Sequence, residues 1–169
     1  AGYARASGRV GVCLVTSGPG ATATALAVRD CAADSVPIVV ICGQVPTAAI
    51  GSDAFQEAPV GNIMGAVAKH TFLVTDPTRL EATVRTAFDI ARTGRPGPVV
   101  IDIPKDVQNW QGTFRGEGHL DMRGYRQRTQ SLRRNVLETA QCEDFYRMLG
   151  ESERPLIYVG GGVKIGRAV

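Results

Sequence analysis

The chain has 169 residues, 44% of them hydrophobic and 21% charged, with 20 glycines and 9 prolines, an ordinary globular make-up that excludes collagen-like, low-complexity and disulfide-stapled classes. Its net charge of +3 sits in one stretch, which reads as a solvated linker in preference to a basic RNA-binding arm because no strand or helix period organises it. Residues 1–109 carry nine Lys/Arg against nine Asp/Glu, and the excess lies between 110 and 135, where Arg115, Arg123, Arg126, Arg128, Arg133 and Arg134 face two acids among scattered glycines.

The chain opens on Ala1 in what already reads as a helix, so a piece of something longer is expected. Arg9 to Thr16 is an apolar, β-branched run that predicts a strand. Ser17-Gly18-Pro19-Gly20 then turns the chain into an Ala-rich helix over Ala21 to Ala33. Val36 to Cys42 lacks polar alternation, as a strand covered on both faces should. It is also the longest uncharged apolar run, far short of the ~20 residues of a membrane-spanning helix. With no basic-then-apolar leader at the start, a soluble intracellular protein is expected.

Lys69 to Val74 offers a third strand. Asp76-Pro77 starts an amphipathic helix with Leu80, Val84, Ala87, Phe88 and Ala91 on one face and Gly94 beyond its end. Pro98 to Ile103 is another buried strand. After the arginine-rich stretch, Val136 to Leu149 predicts a helix and Pro155 to Val159 a strand leading into Gly160-Gly161-Gly162. Strands alternating with helices imply an α/β fold, a parallel sheet with helices on both faces, followed by the start of a second Rossmann-like α/β domain.

The four cysteines fall at no metal-ligand spacing, no G-x-S-x-G elbow occurs, and no carboxylate cluster of metal-site type is visible. Ligands of open α/β sheets bind at the carboxyl ends of the strands, which draws attention to three segments. One is Ser17 to Gly20, which without a ligand is simply a tight turn. The second is the loop from Gly43 to Glu57, too rich in polar groups to be ordered without a task, unless Ser52 or Asp53 merely caps a helix. The third is Gly94-Arg95-Pro96-Gly97-Pro98, with Lys105 past the following strand. Its Arg suits bidentate anion binding or a structural salt bridge.

These segments carry a resemblance. Gly2 to Gly8, Thr16 to Thr22, Asp34 to Pro37, Gly43 to Thr47, Ser52 to Glu57, Lys69-His70, Thr93 to Val99 and Ile103 to Val107 resemble, in this order and spacing, the catalytic subunits of acetolactate synthases, members of the thiamine-diphosphate-dependent enzymes. The resemblance implies a pyrimidine-binding domain over 1–109, a basic linker over 110–135 and the start of an FAD-binding domain over 136–169. Thiamine diphosphate, Mg2+ and FAD are the implied cofactors. Ser17, Gly18, Pro19, Gly20, Gln56 and Lys69 would lie on the thiamine side, with Gln56 catalytic. Ser35, Arg95, Gly160, Gly161 and Gly162 would contact FAD. Pro46, Ala54, Phe55 and Lys105 would line the channel where substrates and herbicides enter.

The implied reaction decarboxylates pyruvate and joins the two-carbon unit to a second 2-oxo acid, in branched-chain amino-acid biosynthesis. Homodimers or tetramers with the site at the subunit interface, a small regulatory subunit, and no nucleic-acid or membrane partner are implied as well. The location would be cytoplasmic in a bacterium and plastid or mitochondrial in a eukaryote. The family's essential glutamate lies upstream of Gly2, and its G-D-G motif for Mg2+ and diphosphate belongs to a later domain, so the isolated chain is expected to be inactive. Ala23 stands where the family has Asn, and Gly65 where it has Arg. The alternatives are glyoxylate carboligase, which differs at Ala54 to Glu57, another thiamine-dependent carboligase, and a non-catalytic relative acting as a binding module.

Overall fold

The computed structural model describes residues 1–114, 116, 118–125, 127 and 137–165, with Lys164 and Ile165 described by backbone alone. It divides into two units, Ala1–Asp121 and Met122–Val169. In the first, helix α1 (Gly2–Ser7) leads to β1 (Gly11–Val15), α2 (Pro19–Ala33), β2 (Ile38–Gln44), α3 (Val60–Gly65), β3 (His70–Leu73), α4 (Leu80–Arg92), β4 (Pro98–Pro104) and the single turn α5 (Lys105–Gln108). The four strands form one parallel sheet in the order β1-β2-β4-β3. The expected α/β fold is therefore present.

Two features set the helix starts. Pro19 occupies the first turn of α2, where a missing N–H is harmless, so the helix begins two residues before the Ala-rich run. Asp76 accepts hydrogen bonds from the Thr78 backbone N–H at 2.9 Å and its hydroxyl at 2.6 Å, capping the 3-10 turn Pro77–Arg79 that runs into α4.

One sheet face packs Val15, Ile38, Val40, Cys42 and Val100 against Ala21, Val28 and Cys31 of α2 and Val60 and Met64 of α3. By strand alternation Val39, Ile41, Val99, Ile101 and Ile103 point to the other face, which α4 covers with Ala87, Ile90 and Ala91. Every residue of β4 is buried. On the edge strand β1, Val12 is 58% and Leu14 76% exposed.

Part of the 110–135 stretch is fastened to α4. Leu120 N–H donates to the Thr86 hydroxyl at 2.9 Å, Gly116 N–H donates to Glu81 at 3.0 Å, and His119 lies 3.2 Å from Asp89. Arg123 is described, whereas Arg115, Arg126, Arg128, Arg133 and Arg134 lie outside the described residues, as does Val136.

In the second unit, α6 (Thr139–Glu151) starts on a capping box between Glu138 and Gln141. The strand expected over Pro155 to Val159 is not formed. A strand is defined by hydrogen bonds to a neighbour, and here no described segment pairs with it, leaving Leu156 and Tyr158 more than nine-tenths exposed. A short helix α7 (Gly161–Ile165) follows.

Candidate functional site

Parallel strands deliver their following loops to one edge of the sheet, and three of these loops meet there. Gly18 adopts φ +50 and ψ −105, a corner open to glycine, and a β-carbon on it would lie 2.2 Å from the carbonyl oxygen of Gln56. The turn after β1 thus rests directly on the backbone of the loop after β2. Gly43 brings its backbone beside Ser17, since a β-carbon there would stand 3.5 Å from the Ser17 nitrogen and 3.6 Å from the Gln108 amide nitrogen. Gln108, from the turn after β4, donates to the Ile103 carbonyl at 2.6 Å. Beside this junction opens a cavity of about 620 Å3, lined by Leu14, Thr16, Ile41, Leu80, Ile103 and Gln108 among others.

Ser17 to Gly20 and Gln56 are therefore brought together. Gln56 itself sits at φ +59, a left-handed conformation that is strained for a non-glycine residue and is found disproportionately at functional sites. The same loop carries Pro46 and Ala54, and Phe55 is 88% exposed. Lys105 opens α5 with its side chain exposed.

Four side chains order the long loop. Glu57 accepts the Gly51 N–H at 2.5 Å and the Ala54 N–H at 3.0 Å, and these bonds hold its carboxyl below the usual range. Asp106 accepts the Thr47 N–H at 2.9 Å, which likewise lowers its pKa. Buried Gln44 donates to the Ala58 carbonyl at 3.1 Å and to Asp102 at 2.9 Å, while its own carbonyl accepts the Val45 N–H at 2.9 Å. No capped helix begins at Ser52 or Asp53; of the two carboxylates in the loop, Glu57 staples it and Asp53 is a turn residue at φ +56.

Burial pushes Asp102 up to about 6, opposed by the Gln44 bond, and the Cys42 thiol up to about 12, first by burial and then by the neighbouring Asp102. Neither Gln44 nor Asp102 is picked out as a site residue by sequence. The available signal is a lone carboxylate within the apolar run Pro98 to Ile103.

Ser35, Lys69 and Arg95 gather at the opposite edge, at the amino ends of β2, β3 and β4. Arg95 donates to the Ser35 hydroxyl at 2.9 Å and to the Ala32 and Ala33 carbonyls at 3.2 and 2.9 Å, capping α2. Ser35 stands at φ +57. The Lys69 ammonium donates to the Ile90 carbonyl and, at 2.6 Å, to the Thr93 carbonyl, where α4 ends. Lys69 is thus grouped with Ser35 and Arg95 rather than with Ser17 to Gly20.

Desolvation of the Lys69 ammonium lowers its pKa from 10.5 to about 8. Because the folded chain sheds this proton before the unfolded chain does, stability rises with pH above about 8. The buried thiols Cys31 and Cys42, with raised pKa values, act in the opposite sense above about pH 9. Thermal melts between about pH 8 and pH 9 are expected to show wild-type protein gaining on Lys69→Met. Parallel curves for the two proteins would count against this assignment.

Gly65, at the end of α3, and exposed Ala23 on α2 have open surroundings; a β-carbon on Gly65 would meet nothing within 4 Å. Gly160 precedes α7, and Gly161 and Gly162 form its first residues, all exposed. Among the described residues no group of three or more His, Cys, Asp or Glu side chains could hold a metal ion, and no helix is long and apolar enough to cross a membrane.

Residues 1–65 match the thiamine pyrophosphate enzyme, N-terminal TPP binding domain. Over 162 residues the chain is 47% identical to the acetolactate synthase large subunit of Corynebacterium glutamicum, covering 96% of this chain and 25% of that protein. It is 47% identical over 161 residues to acetolactate synthase 1, chloroplastic, of Oryza sativa subsp. japonica, covering 95% of this chain and 24% of that protein. It is 42% identical over 167 residues to acetolactate synthase, chloroplastic, of Arabidopsis thaliana, covering 95% and 23%. The chain thus spans about a quarter of the length of these relatives.

Proposed function

We propose that the chain, whose residues 1–65 match the N-terminal domain of thiamine pyrophosphate enzymes, forms part of the catalytic large subunit of an acetolactate synthase. The reaction would be decarboxylation of pyruvate followed by carboligation to pyruvate or 2-oxobutanoate. The observation that carries the reading is the junction of Gly18 with Gln56 at the carboxyl edge of the sheet, within a chain 47% identical to such subunits. Side-chain-free backbone at Gly18, Gly20 and Gly43 lets the turn after β1 pack closely on Thr16 and on the loops after β2 and β4, and the edge built in this way is where the pyrimidine end of thiamine diphosphate would lie.

When bound, thiamine diphosphate supplies the electron sink for loss of CO2. The chain's own part would be to bind and orient: Ser17 to Gly20 against the pyrimidine, Gln56 towards the reacting centre, and Pro46, Ala54, Phe55 and Lys105 along the entry channel. Mg2+ would be held by residues outside those described. At the opposite edge, Ser35 and Arg95 would meet FAD, and Lys69 would brace that edge; in the second unit, Gly160 to Gly162 are proposed as FAD contacts on the family resemblance alone. Division into a pyrimidine-binding domain over 1–109, a linker over 110–135 and the opening of an FAD-binding domain from 136 belongs to the same reading. So does a homodimer or tetramer with the site at the subunit interface. A bacterial cytoplasm or a plastid suits the reading, since the relatives include bacterial and chloroplast enzymes.

Exchange of this chain for the matching quarter of the Corynebacterium glutamicum subunit tests the reading. The chimera, given pyruvate, thiamine diphosphate, Mg2+ and FAD, is expected to form acetolactate, while the isolated chain forms none. A folded chimera that binds FAD yet makes no acetolactate would overturn it in favour of a non-catalytic relative.

A further inference from the structure

Gln44 is the last residue of β2, and the loop that carries Gln56 leaves from it. Its side chain reaches both ends of that loop, through the Val45 N–H at 2.9 Å and the Ala58 carbonyl at 3.1 Å, and its remaining donor is held by Asp102 at 2.9 Å. Asp102 lies on the neighbouring strand β4, in register with Cys42 two residues before Gln44. Gln44 is 6% and Asp102 4% exposed, so the contacts are shielded from water. Glu57 and Asp106 bond only within the loop or to α5; Gln44 alone among these four side chains ties both loop ends to a sheet residue, Asp102.

We propose that Gln44 and Asp102 are positioning residues, a latch that fixes the Val45 to Ala58 loop so that Gln56 is presented against Gly18. The backbone of Gln56 is held in a left-handed conformation directly on the Gly18 turn, and such a conformation persists only where its surroundings enforce it. Closing the loop at both ends from one side chain is that enforcement. Release of the latch frees the loop while leaving the ladder between β2 and β4 intact, because the bonds concerned are made by side chains outside the ladder. The proposal rests on the function given above only for what the loop serves.

Residue-resolved amide hydrogen exchange of the full chain tests it without any cofactor. In Gln44→Met and in Asp102→Leu the amides from Thr47 to Glu57 are expected to exchange about tenfold faster, the factor of one lost hydrogen bond. Amides of Val39 to Ile41 and Val99 to Ile101 should stay at the wild-type rate. Asp102→Asn, which keeps an acceptor for Gln44, should restore slow loop exchange. Unchanged loop exchange, or loop and sheet accelerating together, would overturn the latch. If Gln44→Met does not fold, Gln44→Asn, whose amide is withdrawn by one methylene, carries the same expectations. A chimera without acetolactate activity but with a responsive loop would overturn the enzymatic reading and leave the latch standing.

Discussion

Gly18→Ala is expected to lower folding stability by on the order of 3 kcal/mol and to separate the two loops of the candidate site. Two independent effects add. At φ +50 and ψ −105 an L-residue is strained whatever surrounds it, and the new β-carbon would also fall 2.2 Å from the Gln56 carbonyl oxygen and 2.8 Å from its carbon. Those are backbone atoms, so a rotamer change cannot relieve the clash; one of the two loops must move. Urea denaturation measures the first consequence, and amide exchange of Ala54 to Glu57 measures the second. The control is Gly65→Ala, whose β-carbon would meet nothing within 4 Å and which is expected to lie within about 0.5 kcal/mol of wild type. Equal stability of the two variants would show that Gly18 is not pressed against Gln56.

The contrast between these glycines shows which parts of the fold could be read from sequence. Runs such as Val36 to Cys42 and Pro98 to Ile103 reveal buried strands because water exclusion on both faces leaves no room for polar alternation. Asp76-Pro77 marks a helix start because its chemistry is local. Gln44 and Asp102, by contrast, are 58 residues apart and meet only because β2 and β4 are neighbours in the order β1-β2-β4-β3, which no local pattern encodes. Pro155 to Val159 shows the converse error. Its composition suits a strand, yet a strand exists only with a partner, and none pairs with it among the described residues.

The candidate site divides in the same way. Glycines at 18 and 43 announce a close backbone approach, and the structure supplies what approaches them. Lys69 is a different case: a resemblance places it on the thiamine side, while its position before β3 puts it at the amino edge with Ser35 and Arg95. Membership of an edge follows from strand direction, which is settled only when all four strands prove parallel.

Asp102→Asn is expected to stabilise the chain at neutral pH, by about 1 to 3 kcal/mol. Burial pushes the Asp102 carboxyl up from 3.8 to about 6. An acid whose folded pKa exceeds its unfolded pKa holds its proton in the folded state while the unfolded chain has lost it. Stability is therefore greatest below the unfolded value, declines as pH rises towards 6, and stays reduced above it. Two units of such displacement correspond to about 3 kcal/mol at neutral pH. Asparagine carries no charge to desolvate, and its carbonyl still accepts from Gln44; the amide nitrogen takes the place of Oδ1, which has no partner among the described residues. Part of the gain is offset by that unpaired donor. Urea midpoints compared at about pH 5, 6 and 7.5 should show the variant ahead at the highest pH and the difference shrinking on acidification. The window ends near pH 4.5, because Glu57, Asp76 and Asp106 have lowered pKa values and contribute stability that is lost as pH falls through them. A variant less stable than wild type at about pH 7.5, or a difference independent of pH, would mean that the Asp102 carboxylate is stabilised by more than the single bond from Gln44.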